Sequence, residues 1–266
     1  MEKPVVLDKG CYVGAKVSQY NFGGIITSET CFPENYTSNW HYHQNPHFSH
    51  ILTGGSKEQR PRNAQTQLPG DGLYYYPGIP HKNVEYRPGT RIFNIEIDAA
   101  FFKAHDLQMP DADRMFADST PINSSGLLKI LKQHYFHDAH SQLAIEQLCT
   151  ELVSAYPVVA PYSPAWSRNI ITVMHDHWDQ PLSLAQLSAK VNIHPVTLSK
   201  YFSRYFHCSL GDYARKIKVE KAVQLMRSRQ LSLTAIAYQC GFSDQAHFTK
   251  TFYLFTGLLP KQYRKL

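Results

Sequence analysis

Residues 182–215, LSLAQLSAKVNIHPVTLSKYFSRYFHCSLGDYAR, return in altered form as residues 231–265, LSLTAIAYQCGFSDQAHFTKTFYLFTGLLPKQYRK. Leu182-Ser183-Leu184 matches Leu231-Ser232-Leu233 at an offset of 49 positions. Past the centre the offset is 50, pairing Leu198 with Phe248, Lys200 with Lys250, Phe202 with Phe252, Tyr205 with Phe255 and Tyr213 with Tyr263. The second copy therefore carries one extra residue in its turn. Each copy reads as helix, short turn, helix, and a supersecondary unit repeated at this period predicts a tandem of helix-turn-helix units suited to reading DNA.

The details of each copy support this. In the first, Ser183 is placed to cap a helix whose buried stripe is Leu184, Leu187 and Val191, Asn192-Ile193-His194 makes the turn, and Pro195 suits the first turn of the next helix. That helix turns Leu198, Tyr201, Phe202 and Tyr205 inward at i, i+3, i+4, i+7. Val196, Ser199, Lys200 and Ser203 are left on a short polar outer face fit for the major groove. In the second, Ser232 caps Leu233, Ile236 and Cys240, Gly241 turns, and Ser243 is expected to cap a helix with Phe248, Phe252 and Phe255 inward. Gln245, Ala246, Thr249 and Lys250 face outward with His247 beside them. Gln can bond adenine bidentately, Lys can reach guanine or phosphate, and Ala or Val can touch a thymine methyl. Arg204, Arg215, Lys216, Lys218, Lys261, Arg264 and Lys265 supply charge for the phosphates. Between the units, Leu210 to about Ser228 reads as one helix of about 28 Å, near the roughly 34 Å between successive major-groove faces on one side of B-DNA. A preceding helix carries Ile170, Ile171, Met174 and Trp178 and stops at Pro181.

Charge follows the same division. From Pro164 onward there are 14 Lys and Arg against 5 Asp and Glu, a net +9, whereas the rest holds 13 against 16, a net −3. A basic C-terminal part joined to a mildly acidic one suits a polyanion-binding module attached to something else. The five cysteines are scattered without a CxxC pair, which fits a reducing cytosol and argues against a disulfide framework. No apolar run is long enough for a membrane span, and the start MEKPVVLDKG has no apolar signal core, so a cytoplasmic protein with no membrane partner is expected.

Up to about Glu96 the chain is rich in Tyr, Phe, Val, Ile and Thr, broken by Gly23-Gly24, Gly54-Gly55, Pro69-Gly70, Pro77-Gly78 and Pro88-Gly89. This predicts an antiparallel sandwich or barrel, with GIITSETCF, FSHILTG, LYYYPG and RIFNIEI as its clearest strands. Two helical stripes follow: Leu127, Leu128, Leu131 and Tyr135, then Ile145, Leu148, Leu152 and Tyr156. Those stripes suit packing on the sheet or a dimer seam. Three prolines at 157, 161 and 164 predict an extended connector. The expected class is α+β in two domains. Residues 1–97 would be the β-barrel, 98–156 a helical dimerisation segment, 157–166 the linker and 167–266 the tandem helix-turn-helix domain.

Histidines mark the β-rich part. His41 and His43 are two apart, so they share a face of a strand; His47 follows, and Pro77-Gly78-Ile79-Pro80-His81 supplies a fourth imidazole after a turn. Here the sequence resembles the cupin superfamily, whose first motif has HxH, an acidic residue about four positions later, and Gly. Its second motif is Pro-x-Gly-x-x-His, matched here with one residue fewer. His47 stands where the acidic ligand normally lies. The resemblance implies that His41, His43, His47 and His81 converge, either on a divalent metal, for which imidazoles suit Zn, Fe, Ni or Cu, or on a small organic effector, with Tyr76 as a further contact. Trp40, Tyr42, Phe48, Tyr74, Tyr75, Tyr76 and Phe93 surround the region, as ligand contacts or as packing.

The tandem units resemble the AraC/XylS family of bacterial transcription regulators over roughly Ser167 to Leu266. The residues that carry this are the repeat, the linking helix, Gly241-Phe242-Ser243-Asp244 with Phe248, Phe252 and Phe255, and the ending Pro260-x-x-Tyr263-Arg264. By motif position the resemblance implies base reading by Val196, Ser199 and Lys200 in the first unit and Gln245, Ala246 and Lys250 in the second. Thr197, Ser203, Arg204, Asp244, His247 and Thr249 complete the candidate DNA-binding set. Family members often have Arg where Val196 or Thr197 stands, a departure in the first reading helix. The implied function is a ligand-responsive regulator of transcription, more often an activator through RNA polymerase. It would be a homodimer on double-stranded DNA controlled by a small effector, with no catalytic residue and no certain cofactor. The alternatives are a metal-dependent cupin dioxygenase or isomerase, or a metal or redox sensor, fused to the DNA-binding module.

Overall fold

The computed structural model describes residues 3–61, 63–110, 124–154, 165–180, 182–206, 208–226 and 230–266. The chain falls into two compact units, in the main Met1–Val158 and Val159–Phe255 with Leu259–Arg264. The proline-rich connector expected at 157–166 and Tyr156 lie largely or wholly outside the described residues.

The N-terminal unit is built on strands β1 (Val5–Leu7), β2 (Ala15–Phe22), β3 (Ile25–Phe32), β4 (His41–His43), β5 (His47–Thr53), β6 (Ser56–Arg60), β7 (Asn63–Gln67), β8 (Gly72–Tyr75), β9 (Lys82–Val84) and β10 (Thr90–Ile97). A five-stranded sheet runs β2-β3-β10-β5-β8, a three-stranded one β7-β6-β9, and β1 pairs in parallel with β4. Of the sandwich or barrel expected, the described strands form separate sheets, with no closed barrel among them. Pro77 and Pro80, which have no N–H to offer a ladder, fall between β8 of the five-stranded sheet and β9 of the three-stranded one. A bridge from His41 to His81 joins β4 to the chain just before β9.

The central strands of the large sheet, β3, β10 and β5, are buried on both faces, whereas the edge strand β2 is largely exposed. Phe93 and Ile95 of β10 and Phe48 of β5 lie on one side, and Phe93 meets the His134 ring of helix α2 (Ser124–Phe136) at 5.3 Å between centroids. Both nitrogens of His134 are tied to strand hydroxyls, Nδ1 to Thr27 at 2.8 Å and Nε2 to Ser18 at 2.7 Å. Helix α1 (Ala99–Ala104) precedes α2, and α3 (Ser141–Ser154) follows it. The stripe of α3 is Ile145, Cys149, Leu152 and Val153, with Leu148 only half-buried. Leu127, Leu128, Ile130 and Leu131 of α2 are wholly buried. These stripes pack on each other and on the sheet; Tyr135, expected on the inward stripe, is instead exposed, as are Phe136 and Leu143.

The C-terminal unit comprises α4 (Ala165–Asp176), α5 (Leu184–Val191), α6 (Pro195–Phe206), α7 (Leu210–Leu225), α8 (Leu233–Gln239), α9 (Gln245–Thr256) and α10 (Pro260–Tyr263). No helix among the described residues is long and apolar enough to cross a membrane. The linking helix α7 ends at Leu225, before the expected Ser228, so its 16 residues span about 24 Å rather than 28 Å. Its Ile217 joins Ile170, Met174, Leu187, Val191, Leu198 and Phe202 in the core of the first unit. Val219, Ala222 and Val223 are also buried.

Candidate functional site

The first helix-turn-helix opens with a capping box. Ser183 Oγ accepts from Gln186 N at 3.2 Å while Gln186 Oε1 accepts from Ser183 N at 2.8 Å, so two orphan amides are satisfied at once. Asn192 ends α5 in the left-handed region at φ 54°. Pro195 then starts α6, where its missing N–H is harmless. Leu198 and Phe202 are buried, and Val196, Ser199, Lys200, Ser203 and Arg204 are exposed. Thr197 is half-buried and so stands off the outer face. Val196 is 65% exposed, a large apolar side chain left on the surface of α6.

The second unit is built differently at the same points. Ser232 caps α8 by accepting from Ala235 N at 3.0 Å, and the methyl of Ala235 cannot return the bond. Gly241 turns at φ 68°, and Lys218 of α7 donates to its carbonyl at 2.8 Å with the ammonium 5.8 Å from the Phe242 ring centroid. Asp244, and not Ser243, caps α9: its Oδ1 accepts from His247 N at 2.7 Å. Ser243 donates instead to Asp244 Oδ2 at 3.2 Å and contacts His247 Nδ1 at 3.2 Å. The bond from the His247 amide is the largest pull holding the Asp244 carboxyl below its ordinary value, partly opposed by desolvation. Asp244 is therefore a cap by position, its carboxylate committed to its own helix. Phe248 and Phe252 are fully buried among Phe242 and Tyr263. Gln245, Ala246, His247 and Lys250 are exposed and Thr249 is half-buried. Gln245, Ala246, Thr249 and Lys250 line an open groove with Tyr253 and Leu259.

In the N-terminal unit, strand pleating brings His41 and His43 to one face of β4, and the bridge to His81 places the third imidazole against them. One ligand atom from each of His41, His43 and His81 lies within 4.8 Å of the others, and all three residues are buried. Nδ1 of His41 bonds the Asn39 carbonyl at 2.8 Å and Nδ1 of His81 bonds the Ile79 carbonyl at 3.1 Å. A carbonyl only accepts, so each Nδ1 carries the proton and each Nε2 keeps a lone pair, the state a metal ligand requires. Burial is the first cause keeping these rings neutral; His43 is pushed down to about 3, and His41 and His81 are also lowered. The donor set fits a late divalent transition metal.

His47 is a correction to the expected set of four. Its ring is stacked on Tyr75 at 4.5 Å and sits 4.2 Å from the His43 centroid, but it stands outside the three-imidazole group. Tyr76 is a second correction. Tyr75 lines the cavity because β8 ends there, whereas Tyr76 is past the strand and does not line it. Phe48 and Phe93 face the helices, so they are packing. Sequence reasoning missed the polar lining made by Ser49, Asn83 and Asn94. It also missed Glu58, 5% exposed, which accepts from Tyr75 Oη at 3.0 Å. The cavity has a free volume of about 40 Å³. That holds an ion or a water, against the roughly 300 Å³ or more of pockets for drug-sized ligands.

A helix-turn-helix domain model matches residues 187–266. The chain is 30% identical over 98 residues to the HTH-type transcriptional regulator GbdR of Pseudomonas aeruginosa, covering 37% of this chain and 27% of that protein. It is 29% identical over 181 residues to the HTH-type transcriptional regulator YpdC of Escherichia coli, covering 66% of this chain and 61% of that one. The chain thus spans less than two thirds of each regulator. Among solved structures, ToxT of Vibrio cholerae aligns over 91% of this chain and 98% of that one, at 10% identity and a TM-score of 0.39. Residues 187–266 match a helix-turn-helix domain, in a chain whose relatives are HTH-type transcriptional regulators.

Proposed function

We propose that the chain is a sequence-specific regulator of transcription whose DNA contacts come from α6 and α9 and whose signal enters at the histidine-lined cavity. The observation that carries this is the pair of helix-turn-helix units on one linking helix, each with an exposed lysine on the outer face of its second helix, Lys200 in α6 and Lys250 in α9. Val196, Ser199, Lys200, Gln245, Ala246 and Lys250 are the base-reading residues, and Arg204 and Ser203 serve the backbone. Selection of bound sites from random duplexes tests it: two sequence blocks about one helical turn apart are expected, and retention with no enriched block would overturn it. The AraC/XylS resemblance favours activation through RNA polymerase, which a reporter promoter carrying the selected site would register as increased transcription.

The cavity favours a divalent metal over an organic effector as the signal. Its volume admits an ion, and its three neutral imidazoles supply lone pairs without a proton having to leave. When bound, the ion would join β4 to the chain before β9 through His41, His43 and His81, and these residues would hold the strands in register. Titration of metal-free protein with Zn(II), Ni(II), Cu(II) or Fe(II) should show one ion per chain, lost in His43→Ala, and a change in DNA affinity on loading. Binding with unchanged DNA affinity would remove the metal as a signal, and an organic ligand would have to open the cavity. Dimerisation would use the open side of α2 and α3, where Phe136 and Leu143 are 64% and 72% exposed; Leu143→Glu should lower the mass measured by sedimentation.

A further inference from the structure

We propose that Thr234 is a positioning residue that fixes the amide of Gln245, so that Gln245 reads an acceptor-bearing base edge, guanine or thymine, in the major groove. The inference rests on the DNA reading above and deepens it. Thr234 is the second residue of α8 and Gln245 the first of α9, so the two helix N-termini bring these side chains together. The Thr234 hydroxyl donates to Gln245 Oε1. Both residues are exposed, and Gln245 lines the open groove with Ala246, Thr249 and Lys250.

The chemistry follows from that one bond. A glutamine that reads adenine must accept from the N6 amine with its oxygen and donate to N7 with its nitrogen. Thr234 takes one of the two lone pairs of Oε1 and fixes the amide plane, so the group that keeps its full capacity for DNA is the Nε2 amine, whose two N–H groups only donate. Guanine shows O6 and N7 in the major groove and thymine shows O4, all acceptors. The bond also holds a side chain that would otherwise lose rotamer freedom on reaching DNA.

The repeat shows that the fold does not require this contact. At the offsets of 49 and 50 positions, Thr234 aligns with Ala185 and Gln245 with Pro195. The first unit reaches the same helix-turn-helix with no hydroxyl and no amide at these places. The Thr234–Gln245 pair is therefore an addition private to the second unit, located on its outer face, where it can act on what that face meets.

Site selection with the full chain tests this in four forms: the natural protein, Thr234→Val, Thr234→Ser and Gln245→Ala. The base position whose preference collapses in Gln245→Ala identifies the one Gln245 reads, and guanine or thymine is expected there in the natural protein. Thr234→Val should weaken that preference by about two- to tenfold, with adenine gaining, while melting temperature and salt dependence stay unchanged. Thr234→Ser, which keeps the hydroxyl, should restore it. Adenine at that position in the natural protein, an unchanged profile in Thr234→Val, or equal effects of Val and Ser would each overturn the inference and leave the DNA reading standing. An unchanged profile in Gln245→Ala would instead remove α9 as the reader, and the inference with it.

Discussion

The two helix-turn-helix units share a repeat and differ in how each is held. The first is secured at its entrance, where Ser183 and Gln186 cap each other across α5, and it turns on Asn192, a residue that tolerates the left-handed region without needing it. The second is secured at its turn, where Gly241 is gripped by Lys218 from the linking helix, and at its reading face, where Thr234 grips Gln245. One scaffold has thus been stiffened at different points. The better-held reading face is the one with the more informative side chains. Val196 and Ser199 of α6 can offer a methyl contact or a hydroxyl, whereas Gln245 and Lys250 of α9 offer directed donors.

The contrast can be broken most forcibly at the turns. Gly241→Val puts a β-branched residue at φ 68°, where a Cβ would meet Lys218 Nζ at 3.0 Å and the Asp179 carbonyl at 3.3 Å. A loss of about 2 kcal/mol or more is expected, read as lost hydrogen-exchange protection in α8 and α9 with α5 and α6 kept. Asn192→Gly in the first unit should shift stability by less than about 1 kcal/mol. At the reading faces, Gln245→Ala should relax one or two base positions by about 1–3 kcal/mol. Val196→Ala should cost less than about 1 kcal/mol in the same selection assay. At the caps, Ser183→Ala should cost about 1 kcal/mol and Ser232→Ala about half that, because only the first is answered by a glutamine. Urea midpoints of the full chain would separate them. The smallest contrast lies in the cations. Lys200→Ala and Lys250→Ala should each reduce the slope of log affinity against log salt by up to about 0.9. Equal losses place both on phosphates. A change in base preference as well is what the assignment of Lys200 and Lys250 as base readers requires.

The C-terminal unit was legible because its repeat is written in large apolar residues: the inward Leu198, Phe202, Phe248 and Phe252 mark the period twice. The strands β3, β5 and β10 were legible for the same reason. The polar strands β6 and β7, SKEQR and NAQTQ, were not, because their hydrogen bonds to neighbours place them and their side chains show no apolar alternation. The cap of α9 was misplaced by one residue because Ser243 and Asp244 can each serve, and local geometry decides between two adjacent oxygens. Tyr75 and Tyr76 were confused likewise: in a run of three tyrosines, only the strand's end tells which one faces inward. Three of the four expected histidines converge. The fourth, His47, lines the same cavity 4.2 Å from the His43 ring but is stacked on Tyr75 and stays out of the ligand group, a contact between strands that spacing along the chain does not encode. Thr234 carried no sequence signal except its contrast with Ala185.

The linking helix has a consequence in time as well as in space. A helix neither stretches nor coils, and α7 carries a core residue of the first unit, Ile217, beside the lysine that grips the second turn. If one reading helix lifts from its groove, the other holds it nearby at an effective concentration on the order of millimolar. Departure then requires two releases in quick succession, and residence on a correctly spaced pair of sites should far exceed residence on either alone. The same stiffness sets a phase: one residue added to α7 would rotate the second unit by about 100° and lengthen the reach by about 1.5 Å. On the proposed DNA reading, the tolerated spacing between the two sequence blocks would therefore be carried by a single helix.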